Sequence, residues 1–179
     1  MTEQTGSHPD LQHMRQVLGH VPTSVCVVTT VVDGEPAGSV VGTFTSVSLD
    51  PPLIAFFSQT TSDTLAAVCQ AGTFTVNVLA ADQSSICGVF AKKATARFDR
   101  VPWRAGGRGT PHLEGALAVL ECDVETTSQV GDHIMVIGRV VELDQLRSAT
   151  SPLVFWTGAL HGLQNSPPDH PYYRAQLGI

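Results

Sequence analysis

The chain has 179 residues, 42% of them hydrophobic and 15% charged, a composition that is typical of one globular domain and excludes a disordered chain. Its net charge of −6 argues against nucleic-acid binding, and no apolar run is long enough to cross a membrane. The polar first residues predict no secretory signal, and the four cysteines form neither a CxxC pair nor a zinc-binding spacing with histidine. We therefore expect a cytoplasmic protein with reduced, buried thiols and no metal site.

The first third of the chain predicts a leader, a helix and a hairpin. Residues 1–10 are polar and predict a disordered leader, and apolar residues at helical spacing predict a short helix over 11–20. Residues 24–32 are rich in Val and Thr, which is typical of a strand. The following Asp33-Gly34 predicts a two-residue hairpin turn, because both turn positions need a positive φ. Residues 37–49 are predicted to return as a single second strand.

Prolines and a capped helix organise the middle of the chain. Asp50-Pro51-Pro52 ends the second strand, because proline cannot donate to a β-ladder. The apolar residues 53–58 then predict a buried central strand. A helix capped by Ser62 or Asp63 is predicted next, and Gly72 ends it.

Beyond this helix the pattern changes between strands, a helix and a long loop. Residues 73–79 alternate, which predicts a strand with one apolar and one polar face, and residues 82–90 predict a second short helix. Residues 116–127 predict a strand on which Glu121 faces outward. Residues 91–112 between them predict a long loop, which holds six of the ten basic residues: Lys92, Lys93, Arg97, Arg100, Arg104 and Arg108.

The last third predicts a hairpin, a short strand and a tail. Gly131-Asp132 marks a turn from which residues 133–143 return as a strand; residues 153–156 predict the last strand, and residues 164–179 predict an extended tail. Six or seven strands joined by tight turns, with two or three short helices, indicate an antiparallel barrel or sandwich. The pattern predicts one domain over residues 11–163.

Two segments are candidate ligand contacts. Residues 43–52 carry alternating hydroxyl residues along a strand, which suits a flat aromatic ligand, although an ordinary solvent-facing edge strand has the same pattern. Residues 59–64 precede a helix, where free N–H groups and the helix dipole favour an anion such as phosphate. Ser62 can equally act as a simple helix cap. Lys93 and Arg97 could neutralise the anion or belong to a solvated loop.

His133, in the turn Gly131-Asp132-His133, could contact a ligand or guide a nicotinamide, although a turn histidine is more often structural. Residues 106–109 are rich in glycine but are no dinucleotide fingerprint, because no helix follows them. The sequence shows no convincing nucleophile–base pair. If the protein is an enzyme, a cofactor therefore carries the difficult step.

Taken together, these segments resemble the short-chain flavin reductase family over roughly residues 12–163. The family implies a mainly β fold, an antiparallel split β-barrel of Greek-key type with two or three short peripheral helices, which works as a homodimer. The matching residues are the run from Thr43 to Pro52, Ser62 with Thr64, residues 71–79, Arg97-Phe98 with Trp103, residues 113–122, Gly131-Asp132-His133 and residues 137–140.

The resemblance implies an NAD(P)H-dependent flavin reductase that supplies reduced FMN or FAD, by diffusion, to a partner flavin-dependent monooxygenase. NADH or NADPH would be the hydride donor, and His133 would lie beside the flavin or the nicotinamide as the catalytic residue. The implied cofactor-binding residues are Thr43, Phe44, Thr45, Ser46, Val47, Gln59, Thr60, Ser62, Thr64, Phe90, Ala91, Lys93, Arg97 and Trp156. Two features depart from the family pattern. Asp63 lies at the phosphate turn, and Ala159-Leu160 stands directly after Gly158 where many members have a basic residue followed by an aromatic one.

Three alternatives remain open at this point. One is a non-catalytic flavin- or haem-binding carrier on the same barrel, the second is an oxidase of the pyridoxamine-phosphate type, and the third is an interaction barrel without a ligand. The sequence does not choose between FMN and FAD, or between NADH and NADPH.

Overall fold

The computed structural model describes residues 10–92 and 96–163. The predictions for the leader, for Lys93 and for the C-terminal tail therefore lie outside the described residues. The helices and strands are α1 (Leu11–Leu18), β1 (Thr23–Ser24), β2 (Cys26–Val32), β3 (Glu35–Val41), β4 (Thr45–Leu49), β5 (Pro52–Gln59), α2 (Asp63–Ala71), β6 (Thr73–Val78), α3 (Ser84–Phe90), β7 (Trp103–Ala105), β8 (Pro111–Leu113), β9 (Ala118–Val130), β10 (His133–Gln145), β11 (Leu153–Trp156) and β12 (Ala159–Gly162).

The strands form three antiparallel sheets. The large sheet has the order β3-β2-β6-β9-β10-β5-β4, a smaller one has the order β1-β11-β12, and β7 pairs with β8. The prediction of a mainly β, antiparallel fold with few helices is confirmed. None of the helices in the described ranges is long and apolar enough to cross a membrane.

The predicted hairpin between β2 and β3 is present. Asp33 has a φ of 54° and Gly34 a φ of 83°, as a two-residue turn of this hand requires. The prediction of one continuous strand over residues 37–49 is wrong. Residues 42–44 leave the ladder, so that β3 and β4 lie at opposite edges of the large sheet.

Thr43, in this break, attaches the chain to β5 through its side chain. Its hydroxyl donates to the carbonyl of Phe57 at 3.0 Å and accepts from the N–H of Phe57 at 2.9 Å. A side chain therefore takes the place of a backbone pair. The spacing of apolar residues in the sequence does not reveal that a side chain replaces a backbone pair here.

Helix α2 forms as predicted. The Ser62 hydroxyl accepts from the N–H of Leu65 at 3.3 Å, and Gly72 ends the helix with a φ of 70°. Leu65 and Val68 are buried, so the apolar face of α2 packs against the sheet. The start of α2 thus has a defined position.

The core consists of two apolar clusters separated by the large sheet. Cys26 and Val28 of β2 belong to the cluster under α2, whereas Val25 and Val27 belong to the cluster under α3. Successive residues of a strand point to opposite faces. Because both faces of β2 are covered, its first residues, Cys26 to Val28, are continuously apolar rather than alternating.

The predicted polar face of β6 is not exposed. Thr75 and Asn77 are both fully buried. The Thr75 hydroxyl lies 2.6 Å from the Thr110 hydroxyl. The side-chain amide oxygen of Asn77, Oδ1, accepts from the backbone N–H of Leu113 at 2.7 Å. This hydrogen-bonded layer holds β8 against the sheet, as buried polar groups require.

The prediction that Glu121 faces outward is wrong. Glu121 is 1% exposed, and its carboxylate accepts from the N–H groups of Gly107 at 2.8 Å and Arg108 at 2.7 Å. His112 lies 2.7 Å from the same carboxylate. The predicted loop over residues 91–112 therefore contains the β7–β8 hairpin, whose glycine-rich turn encloses a buried acid.

Three of the four thiols are buried as predicted, but Cys69 on α2 is exposed. Desolvation by burial raises the pKa of Cys26 to about 11. Desolvation is also the largest cause that raises the pKa of Cys122 to about 12. These two buried thiols are neutral at physiological pH. Strand β12 was not predicted, because its four residues carry no strong strand signal.

Candidate functional site

A groove crosses the protein from β10, over the start of α2, to the outer edge of β3. It consists of three adjoining cavities of about 330, 260 and 320 Å³, here called the first, second and third cavity. The first and second share Ser39, Val40, Gln59 and Ser62. The second and third share Asp63, Thr64 and Arg97.

The first cavity lies between β3, an edge strand of the large sheet, and β5, the strand next to its other edge. Residues 39–41 of β3 line one side and Phe57 to Gln59 of β5 line the other, with Thr43 between them. His133 lines its end, since it is the first residue of β10 and pairs with Gln59 of β5. Strands from both halves of the sheet thus contribute to one concave surface.

His133 is oriented by its neighbour in the turn. Its Nδ1 lies 2.7 Å from the Asp132 carboxylate, and 37% of its side chain is exposed. The hydrogen bond from His133 is the largest cause that lowers the pKa of Asp132, and the charge of His133 is the second largest. An ionised carboxylate only accepts, so Nδ1 carries the proton and Nε2 remains available for a ligand.

The turn before His133 is itself attached to the segment that precedes α2. The carbonyl of Asp132 accepts from the N–H of Thr60 at 3.1 Å. Thr60 does not line any of the three cavities, whereas its neighbour Thr61 lines the second. Thr60 therefore positions the turn through its backbone.

The second cavity lies at the N-terminus of α2. Ser62 caps the helix, and Thr64 in the first turn is 6% exposed. Phe90 and Ala91, at the C-terminus of α3, line the opposite side together with Lys92. Free N–H groups, the helix dipole and a lysine in one cavity favour an anion.

Arg97 lies where the second and third cavities meet. Its Nη1 donates to the carbonyl of Gly38 on β3. Its Nε is buried and has no hydrogen-bond partner among the described residues. A buried donor without a partner is costly, so this atom suits a bound acceptor.

The third cavity extends beyond α2 along β3. Pro36, Ala37, Gly38 and Phe98 are among the residues that line it. A Cβ on Gly38 would lie 3.0 Å from the ring of Phe90 and 3.1 Å from that of Phe98. Only glycine at this position lets both rings pack against β3.

The structure thus brings together Thr43, Gln59, Ser62, Thr64, Phe90, Ala91, Arg97 and His133. Other predicted contacts do not line the three cavities. Phe44 is partly buried against the core, and Thr45, Ser46 and Val47 are exposed on the edge strand β4. Their roles stay predictions.

Trp156 lies on β11 in the three-stranded sheet, also outside the groove. Its Nε1 donates to the carbonyl of His20 at 3.1 Å, and its ring packs edge-on against His161. Conversely, Ser39 and Val40 line two cavities and were not predicted. They belong to residues 37–49, which the sequence predicts as one strand. That pattern does not indicate which residues line a cavity.

Residues 18–164 match the family model described as the flavin reductase like domain. The chain belongs to this family. The resemblance to flavin reductases is therefore confirmed.

A flavin reductase of Pseudomonas putida is 43% identical over 154 residues, which are 86% of this chain and 90% of that relative. The reductase subunit HsaB of a flavin-dependent monooxygenase from Rhodococcus jostii (strain RHA1) is 37% identical over 155 residues, covering 87% and 79%. The solved structure of Streptomyces globisporus C-1027 NADH:FAD oxidoreductase SgcE6, in complex with NAD and FAD fragments, matches with a TM-score of 0.81 at 34% identity, covering 89% and 94%.

Proposed function

We propose that this protein is an NAD(P)H-dependent flavin reductase that supplies reduced FMN or FAD to a partner flavin-dependent monooxygenase. The observation that carries the proposal is a single groove with an oriented imidazole at one end and an anion-favouring helix start at its middle. Family membership and the names of the relatives support the same activity.

The residues of the groove fit a flavin. The first cavity, bounded by Thr43, Gln59 and His133, suits the ring, and the second suits the phosphate at Ser62 and Thr64. The unpartnered Nε of Arg97 is a ready donor to a phosphate oxygen. Lys93 is proposed as a further cation from the sequence alone.

A bound flavin supplies the hydride-accepting ring, and reduced nicotinamide is the second substrate. The protein's own residues bind and align. The start of α2 holds the phosphate, the walls of the first cavity align the ring, and Asp132 holds the imidazole of His133 in one tautomer. His133 contacts the nicotinamide or the flavin through Nε2. No side chain has to transfer a proton.

We also propose that the large sheet is a split β-barrel of Greek-key type. Strands β3 and β5 both line the first cavity although they are not paired with each other, which supports a sheet that curls until its edges nearly meet. The domain is proposed to span residues 11–163. Four unpaired thiols support a cytoplasmic location.

A homodimer is the proposed assembly. All residues of α1 are exposed, among them Leu11, Met14, Val17 and Leu18. An isolated helix of this length is unstable in water, so a second copy that covers its apolar face is a consistent explanation. Light scattering should give twice the chain mass, and Val17→Glu with Leu18→Glu should give the monomer.

The decisive experiment measures oxidation of NADH and of NADPH by purified protein without flavin, with FMN and with FAD. Flavin-dependent, saturable turnover establishes the reductase. A protein that retains flavin through gel filtration but does not oxidise either nicotinamide would be the carrier instead.

A further inference from the structure

We propose that the third cavity binds the adenosine monophosphate half of FAD, and that the enzyme therefore prefers FAD to FMN. The inference rests on the proposed function, because it takes the flavin ring and its first phosphate to lie in the first and second cavities. FMN ends at that phosphate, whereas FAD continues with a second phosphate, a ribose and an adenine.

The groove continues where FMN would end. The second and third cavities share Asp63, Thr64 and Arg97, so a ligand that extends past the start of α2 enters the third cavity. That cavity, at about 320 Å³, is at least as large as the second, at about 260 Å³. FMN would leave it empty.

The side chains of the third cavity suit an adenosine. Pro36, Ala37 and Phe98 present small apolar and aromatic surfaces, which favour a planar base. Arg97 lies between the cavities with an unpartnered Nε, in a position to bridge two linked phosphates. The occupant is thus an adenosine attached to a diphosphate rather than a second free anion.

Asp63 discriminates between the two flavins. It is exposed at the junction of the cavities. The phosphomonoester of FMN carries roughly −1.5 to −2 charge at neutral pH, whereas each phosphate of a diphosphate diester carries one negative charge. The two phosphates of FAD together bring about the same charge to the junction as the one phosphate of FMN, so repulsion does not separate the two flavins. The Asp63 carboxylate instead favours FAD, because it can accept hydrogen bonds from a ribose diol, as acidic residues do in dinucleotide-binding folds.

The test compares flavin dissociation constants of the wild type, Asp63→Asn and Ala37→Trp. We expect the wild type to bind FAD about tenfold more tightly than FMN, a difference of about 1.4 kcal/mol. Asp63→Asn should reduce that ratio, mainly by weakening FAD binding. Ala37→Trp should fill the cavity and weaken FAD about tenfold, with FMN binding unchanged. Glu114→Gln, which removes the same charge outside the groove, is the matched control.

Adenosine monophosphate alone is the second probe, and it should compete with FAD but not with FMN. Equal affinities for FAD and FMN in an active wild type would overturn the inference and leave the reductase intact. A rise in the NADH KM of Ala37→Trp without a change in FAD binding would assign the cavity to the nicotinamide dinucleotide and also overturn it. Absence of turnover with both flavins would instead refute the proposed function.

Discussion

The proposed catalytic role of His133 depends, at the residue scale, on two neighbours. Asp132 fixes the proton on Nδ1 of His133. Gln59 pairs with His133 in the β10–β5 ladder, and this pairing places His133 at the end of the first cavity. A carboxylate that only orients an imidazole contributes to catalysis through geometry rather than through proton transfer. His133 is therefore expected to affect turnover more than flavin retention.

We expect His133→Ala to lower kcat about tenfold, because a hydrogen bond to a reacting ligand is worth about 1.5 kcal/mol. The flavin dissociation constant should change less than the rate does. Steady-state kinetics and fluorescence titration measure the two quantities. His133→Asn, whose side-chain carbonyl keeps one acceptor in place of Nε2, is the matched control. A wild-type kcat in His133→Ala would remove the residue from the mechanism.

Helix α2 at the element scale combines a structural cap with a proposed phosphate site. Ser62→Ala removes the cap and should lower the free energy of unfolding by about 1 kcal/mol, while weakening flavin binding. Ser62→Asp keeps a capping oxygen and should retain stability. Its added negative charge should nevertheless weaken flavin binding further. Wild-type affinity in Ser62→Asp would show that the phosphate binds elsewhere; chemical denaturation and fluorescence titration provide both readouts.

The β7–β8 turn is the second element whose packing depends on one residue, Gly106. A Cβ on Gly106 would collide with the Glu121 carboxylate and the His112 ring, both buried. We expect Gly106→Ala to lower the free energy of unfolding by about 2 kcal/mol, as overpacking does. Gly88→Ala, on an exposed helical position with open space around it, should instead be neutral or stabilising. Equal stability of the two variants in urea would contradict this packing.

The pH range of stability is a property of the whole molecule. Hydrogen bonds from Arg147, Arg139 and His133 lower the pKa values of Asp82, Glu125 and Asp132, respectively. A carboxyl with a lowered folded pKa stabilises the protein above its ordinary value and loses that contribution as pH falls. Stability should therefore decline below the ordinary values of 4.5 for Glu and 3.8 for Asp.

The alkaline limit has the opposite origin. The thiols of Cys26 and Cys122 ionise near 9.0 when unfolded, but burial raises their pKa to about 11 and about 12. The unfolded chain therefore loses protons first, and stability should fall as pH rises above 9.0. Urea midpoints measured across pH test both limits. Cys122→Ala should flatten the alkaline decline, and an unchanged slope in this variant would contradict the assignment.

Elements with local signals were predicted from the sequence. The Asp33-Gly34 turn, the α2 helix between Ser62 and Gly72, and strand β11 occur as expected, because turn chemistry, capping and short apolar runs act between near neighbours. The anion-favouring start of α2 and the position of His133 in a turn followed from the same signals.

The sequence by itself therefore determined the antiparallel, mainly β class, the capped helix and the family. Tertiary structure alone decided that residues 37–49 form two strands at opposite edges of one sheet, and so that Ser39 and Val40 of β3 face β5 across the first cavity. It also decided that Glu121 is buried. Alternation shows which residues share a face of a strand, but what covers that face depends on contacts between segments far apart in the chain.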